Sequence, residues 1–353
     1  MTKVQSTIKG RGAATNPANR FHDKHSEAFD DGWHQDESDK PVTELYLDNS
    51  RSIINYNQSP DIPFDRSINP YRGCEHGCMY CFARPTHAYL DCSPGLDFET
   101  KIFYKPNAVE LLEKELAAKK YRCASIALGI NTDSYQPVER KLQITRSILE
   151  VLSRCSHPVS IVTKSAMIER DFDLLVPMAE KNLVHIMVSV TTLDADLARA
   201  MEPRAAAPHR RLSLIENLSK AGIPVGVLVA PVIPVLNDNE IEKILATVSN
   251  AGALTAGYVM IRLPHEVKDL FKEWLDNHVP LKAEHIMNRI LDLRGGKEYN
   301  ADFGQRMRGT GVFAELIEKR FSRAYKKLGF TGMPEFDCSQ FVPPGGNKQF
   351  SLF

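Results

Sequence analysis

The segment 69–84, NPYRGCEHGCMYCFAR, sets Cys74, Cys78 and Cys81 in a C-x3-C-x2-C pattern, with Tyr80 directly before the last cysteine. Three closely spaced thiolates can hold three corners of an iron–sulfur cube and leave the fourth iron open to another ligand. The same thiols can hold a structural zinc ion, with His76, His87 or Cys92 as the fourth ligand. Zinc sites usually pair two such knuckles, or one knuckle with two histidines, and the sequence has no second knuckle. The ferredoxin run has a different spacing and a fourth cysteine close by. Cys92, Cys123, Cys155 and Cys338 bring the total to seven, an odd number that argues against a disulfide framework.

The elements that would carry this loop follow an alternating pattern. β-rich runs lie at 125–131, 159–164, 184–191, 225–232 and 258–263, and helical periodicity at 108–120, 142–154, 172–181, 212–221 and 240–249. Asn107 and Asn239 stand at N-cap positions and Gly222 at a C-cap position. With the segment before the cysteines as a first strand, about six βα units predict an α/β fold, a partial (β/α)6 TIM-type barrel built on a parallel sheet. The cysteine loop would then leave the carboxyl end of the first strand, where such barrels carry their chemistry. Residues 42–56 read as a lead-in hairpin around an Asp-Asn-Ser turn. Residues 1–40 read as a polar, poorly ordered leader, 60–297 as the core domain, and 298–353 as a C-terminal extension of one helix near 312–328 and an irregular tail.

Composition limits the function classes. At 353 residues, 43% hydrophobic and 25% charged, the chain can bury a sizeable core, and its net charge of zero gives no global signal for a polyanion. The N-terminus lacks an apolar h-region. The longest apolar run, 223–236, is broken by Pro224, Pro231 and Pro234 and is too short to span a bilayer. No membrane partner is expected, and a cytoplasmic location is.

The cysteine spacing with its aromatic residue resembles the signature of the radical S-adenosylmethionine (SAM) superfamily. NPYRGCEHGCMYC, NTDSYQPVE at 131–139, VTKS at 162–165 and the SVTT strand end at 189–192 resemble its spore photoproduct lyase-like branch. The resemblance runs from about residue 67 to 294. It implies a [4Fe–4S] cluster on Cys74, Cys78 and Cys81, and SAM bound at the open iron and cleaved to a 5′-deoxyadenosyl radical. It also implies roles for later strand ends. Tyr80 would lie against the adenine; Asn131, Thr132 or Asp133 would meet the amino group, although the usual Gly-Gly-Glu form is missing here. Lys164 and Ser189 would meet the SAM carboxylate, with Arg199 and Arg204 as further candidates, and 229–234 would pack along the adenosine. Cys92 and Cys338 are candidates for a hydrogen-atom donor outside the cluster. A reductant such as flavodoxin or ferredoxin would supply the electron.

Two C-terminal features concern partners. Between Arg294 and Lys327, basic residues outnumber acids and interleave with Tyr299, Phe303, Phe313, Phe321 and Tyr325, a pattern that fits a nucleic-acid backbone or a solvated helix face. Gln349, Phe350, Leu352 and Phe353 resemble the pentapeptide by which bacterial repair proteins dock on the sliding clamp. The expected function is a lyase-like radical SAM enzyme acting on nucleic acid. The alternatives are radical modification of a protein, tRNA or small metabolite, and a metal-stabilised, non-enzymatic module on the clamp.

Overall fold

The computed structural model describes residues 8–21 and 41–345. Its strands are β1 (Glu44–Leu47), β2 (Ile54–Tyr56), β3 (Arg66–Ile68), β4 (Tyr71–Arg72), β5 (Lys101–Tyr104), β6 (Ile126–Leu128), β7 (Val159–Thr163), β8 (Val184–Ser189), β9 (Val225–Val232) and β10 (Thr255–Met260). The helices are α1 (Leu96–Thr100), α2 (Ala108–Leu116), α3 (Glu139–Leu142), α4 (Ile144–Arg154), α5 (Phe172–Ala179) and α6 (Ala195–Met201). After these come α7 (Pro208–Lys220), α8 (Ile241–Asn250), α9 (Val267–His278), α10 (Pro280–Leu293) and α11 (Gly311–Leu328).

The main sheet has the order β10-β9-β8-β7-β6-β3-β2. Every neighbouring pair is parallel except β2–β3, which is antiparallel. Six parallel strands in sequential order, with helices between them, form the open (β/α)6 arrangement expected from the alternating pattern. The parallel strands are rich in β-branched residues because helices cover them; in β8 only Met187 escapes full burial. The helices bury one stripe each. In α8 this stripe is Ile241, Ile244, Leu245 and Val248, spaced to fall on one face, and each side chain contributes roughly 1.5–3 kcal/mol by leaving water. Helix α7 ends as a Schellman turn: Ile223 N donates to Leu218 O (2.9 Å) and Gly222 N to Ser219 O (3.0 Å), with Gly222 at φ +73°.

The two edges of the open sheet are linked by the glycine- and arginine-rich segment after α10. Met260 N at the end of β10 donates to Met307 O (2.9 Å). Arg306 pairs with Asp61 in the loop between β2 and β3, and Gly304 N donates to the same carboxylate (2.7 Å). Beyond α11 the chain crosses beneath the barrel. Gly332 N, Asp337 N and Val342 N donate to the carbonyls of Leu254, Asn182 and Cys155, just ahead of β10, β8 and β7.

Several expectations are corrected. The lead-in hairpin does not form: β1 pairs with β5 and β2 with β3, in different sheets. Asp48, in the intended turn, is instead held by Lys105 (2.5 Å) and Arg72 (2.9 Å). Residues 8–21 of the leader are packed on the cysteine loop, with Ala13 and Asn19 buried. They lack apolar periodicity because backbone hydrogen bonds, not a hydrophobic stripe, hold them. Asn107 stands at the N-cap of α2 as expected, without a side-chain cap bond, whereas α8 starts at Ile241, past Asn239. The fifth run forms a strand three residues earlier than its apolar core suggests, and α6, α9 and α10 were not anticipated. The terminal pentapeptide lies outside the described residues.

Candidate active site

The cysteine loop leaves the carboxyl end of β3 and is fixed from several sides. Gly73 has φ +82°, and a side chain there would come within 2.9 Å of the Phe98 carbonyl and the His87 ring. Cys74 N donates to Phe98 O (2.9 Å). Thr132 Oγ1 donates to Gly73 O (2.7 Å), and the Gln136 amide joins Gly73 O (3.3 Å) to Glu75 N (2.9 Å). Arg84 is fully buried and donates to the carbonyls of Gly77 (3.1 Å), Cys78 (2.9 Å), Pro94 (3.0 Å) and Gly95 (2.9 Å). It also pairs with the equally buried Glu99 at 2.5 Å. Glu99 accepts from the amides of Gly12 (3.0 Å) and Ala13 (2.9 Å), so the N-terminal segment completes its solvation. A buried charge is tolerated only with such full pairing.

Cys74, Cys78 and Cys81 are free thiols, the first two buried and the third partly exposed. Burial pushes Cys74 well above the usual thiol range, and Asp133, Cys78 and Cys81 push the same way. Burial also raises Cys78, against the opposing pull of Lys164. The three sulfurs therefore share one field. Among the described residues no three His, Cys, Asp or Glu side chains converge as ligands of a single metal ion would. A cube distributes its thiolates over separate irons and does not need that convergence, so soft, unpaired donors on one pinned loop fit an iron–sulfur cluster.

The strand ends bring the other sequence candidates to the same rim, in different states. Lys164, just past β7, holds its ammonium 5.8 Å from the centre of the Tyr80 ring and pairs with no carboxylate among the described residues. Ser189 closes β8 and is buried, and its hydroxyl has no hydrogen-bond partner among the described residues. Asn131 is exposed; its amide N–H donates to Asn69 (2.8 Å). Thr132 and Asp133 are engaged by the protein itself. Asp133 accepts from Thr163 Oγ1 (2.8 Å), Lys164 N (2.7 Å) and Tyr135 N (2.9 Å), and its second oxygen lies 3.3 Å from His76 Nδ1. Burial pushes its carboxyl up, but His76 and the amides outweigh it and hold the pKa at about 2. Both residues thus position the loop rather than face open space. Arg204 pairs with Glu75 (3.1 Å), while Arg199 is an exposed partner of Asp196. Val229, Val232 and Ile233 fill the core.

Sequence reasoning missed a buried network behind Tyr80. The Tyr80 hydroxyl donates to Glu202, which pairs with Arg211 and accepts from Thr191 (2.7 Å). Arg211 also donates to the carbonyls of Ser189 (3.1 Å) and Ala206 (2.7 Å). The available signal is the acid two residues before Arg204. Arg84 and Glu99 were missed for the same reason: nothing local distinguishes a buried charge from a solvated one.

The family model of the radical SAM superfamily matches residues 68–248, which contain the cysteine loop and the strands from β4 to β9. The chain belongs to the radical SAM superfamily. Its cofactors are a [4Fe–4S] cluster and SAM. An uncharacterized protein of Mycobacterium tuberculosis is 38% identical over 216 residues, covering 61% of this chain and 64% of the relative, so the chain spans less than two thirds of that protein. An uncharacterized protein of Methanocaldococcus jannaschii is 25% identical over 222 residues, 63% of this chain and 79% of the relative. Among solved structures, a variant of spore photoproduct lyase superposes with a TM-score of 0.57 at 13% identity, covering 81% of this chain and 79% of that one. That structure holds AdoMet and dinucleoside spore photoproduct. At this identity the likeness is one of fold.

In this radical SAM chain the two hydrogen-donor candidates have different surroundings. Cys338 sits beside Cys123, ahead of the amino end of β6, whereas the cysteine loop leaves the carboxyl end of the parallel β3. Cys92 directs its thiol to Leu90 O (3.4 Å). Four arginines of the basic C-terminal segment serve as scaffold. Arg294 donates to the carbonyls of Ile261 and Gln305, Arg306 pairs with Asp61, Arg308 covers the Tyr258 ring at 3.9 Å, and Arg320 pairs with Glu242. No helix among the described residues is long and apolar enough to cross a membrane.

Proposed function

We propose that this radical SAM chain is an enzyme that holds its cluster on Cys74, Cys78 and Cys81 and acts on nucleic acid in a lyase-type repair reaction. When bound, the cluster supplies the electron that cleaves SAM to a 5′-deoxyadenosyl radical. The observation carrying the reading is the single rim that joins three free thiols on a pinned loop with the unpaired Lys164 ammonium and the free Ser189 hydroxyl. Lys164 and Ser189 would receive the methionine carboxylate, a charge-assisted contact. Asn131 would face the amino group, and the Tyr80 ring, locked by Glu202, would form a wall for the adenine. Thr132 and Asp133 hold the loop so that these groups stay in register. Arg84 and Glu99 keep water from the loop's inner side. The nucleic-acid substrate is supported by the fold shared with spore photoproduct lyase over most of the chain.

The test is anaerobic reconstitution followed by assay of 5′-deoxyadenosine under dithionite. Wild type is expected to carry iron and sulfide in equal amounts and to release 5′-deoxyadenosine, and Cys78→Ala to lose both. Protein with no cluster absorption and no SAM cleavage sinks the reading. Damaged DNA is expected to stimulate turnover; indifference to every DNA and RNA offered removes the substrate assignment.

A further inference from the structure

We infer that Arg262, beside the cluster loop, is the phosphate-binding residue of a single-stranded nucleic-acid subsite. The inference rests on the proposed nucleic-acid substrate and gives it a location. Arg262 follows the carboxyl end of β10, and its guanidinium lies 5.0 Å from the centre of the Phe82 ring. Phe82 is the residue after Cys81 and is 39% exposed. Arg262 has only weak acceptors: Met307 Sδ at 3.7 Å and the Tyr299 hydroxyl at 3.4 Å. Its Nε is buried without an acceptor. No carboxylate pairs with it among the described residues. The nearby Asp61 is already engaged by Arg306 and by the Gly304 amide. Arg294, close enough to feel Arg262, is held only by backbone carbonyls, so the neighbourhood carries uncompensated positive charge.

Arg306 and Arg320, by contrast, place their forks on the carboxylates of Asp61 and Glu242. A guanidinium with free donors offers a bidentate seat to a phosphate oxygen pair. The aromatic surroundings point to a strand rather than to a small anion. Phe82 and Tyr299 flank Arg262, and Phe303, 58% exposed, lies under Arg306 at 4.6 Å. Aromatic faces interleaved with guanidinium groups are the surface on which unpaired bases stack while the backbone meets positive charge. A base stacked there would lie next to the cluster loop.

The experiment is fluorescence anisotropy of a labelled single-stranded deoxyoligonucleotide with the reconstituted full chain across a salt series. Wild type is expected to bind with an affinity that falls linearly in a log–log plot against salt. Arg262→Ala is expected to bind more weakly, with a slope shallower by about 0.7, the loss of one phosphate contact. Arg262→Lys should retain the slope, and Arg262→Gln replaces the alanine variant if that one does not fold. Arg289→Ala, at an exposed ion pair with Asp292, should match wild type. Absence of oligonucleotide binding at low salt, or an unchanged slope in Arg262→Ala, overturns the inference. 5′-Deoxyadenosine release by wild type without oligonucleotide is measured in parallel, so failure of the radical chemistry is separately visible.

Discussion

Arg84 shows how a single residue can govern the cysteine loop. It donates to four carbonyls and one carboxylate from complete burial, which only a planar five-donor fork can do. Arg84→Leu leaves Glu99 as an uncompensated buried charge, and the expected loss is about 3–5 kcal/mol in denaturant unfolding of the cluster-free protein. Arg84→Lys should recover less than half of it, because a point charge cannot reach the same acceptors. Lys164→Ala should leave stability within about 0.5 kcal/mol, since its ammonium pairs with no carboxylate among the described residues, while weakening SAM binding about tenfold or more in equilibrium titration. At this scale the sequence was partly legible. Cysteine spacing is local and reads directly, and Lys164 and Ser189 follow from strand ends. Whether a charge is buried depends on what packs over it from far away, so Arg84, Glu99, Glu202 and Arg211 carried no readable mark. The same dependence gives Asp133 and Thr132 protein partners that their sequence positions do not announce.

Among the elements, the N-terminal segment is the least expected. A side chain at Gly12 would lie 1.9 Å from the Gly77 carbonyl, so the segment docks only because that position is bare. Gly12→Ala is expected to detach residues 8–21 and to raise amide exchange across 74–83 in hydrogen-exchange mass spectrometry, with slower change in β8 and β9. Equal protection of 74–83 in both proteins would contradict this. Gly222 is the opposite case. Nothing lies within 4 Å of an added side chain there, so Gly222→Ala costs only the left-handed backbone, about 1 kcal/mol. The βα alternation was legible because periodicity is set within each element. The hairpin was misread because pairing partners are chosen by the sheet, and β2 found β3 while β1 found β5. Helix α7 begins earlier than its apolar pattern, at Pro208, a start that the pattern alone does not mark.

The whole molecule closes in two places. Segment 304–307 joins the open edges of the sheet, and the tail after α11 packs under the strands. Beneath the barrel His157 is buried, bonded to Tyr121 (2.6 Å), and edge-on to Phe341 of the tail. Burial lowers its pKa to about 4, with Arg66 adding to the effect against the Pro158 carbonyl. Between an unfolded value near 6.5 and about 4 the unfolded chain binds the extra proton. Stability is therefore expected to fall on acidification through that window, by up to about 1.4 kcal/mol per pH unit. Urea unfolding at a series of pH values checks this, and His157→Gln should flatten the slope by about one proton.

The walls of the cysteine loop come from residues distant in the chain. Met79 N is held by Met201, Tyr80 by Glu202, and the N-terminal segment that solvates Glu99 is tied by Thr15 to Glu273. In order of synthesis, Tyr80 emerges 122 residues before its partner Glu202 exists. At roughly 5–20 residues per second, the thiols beside it stand unwalled on the ribosome for on the order of ten seconds. The walls around the thiols are therefore expected to close only once translation has passed α6 and then α9.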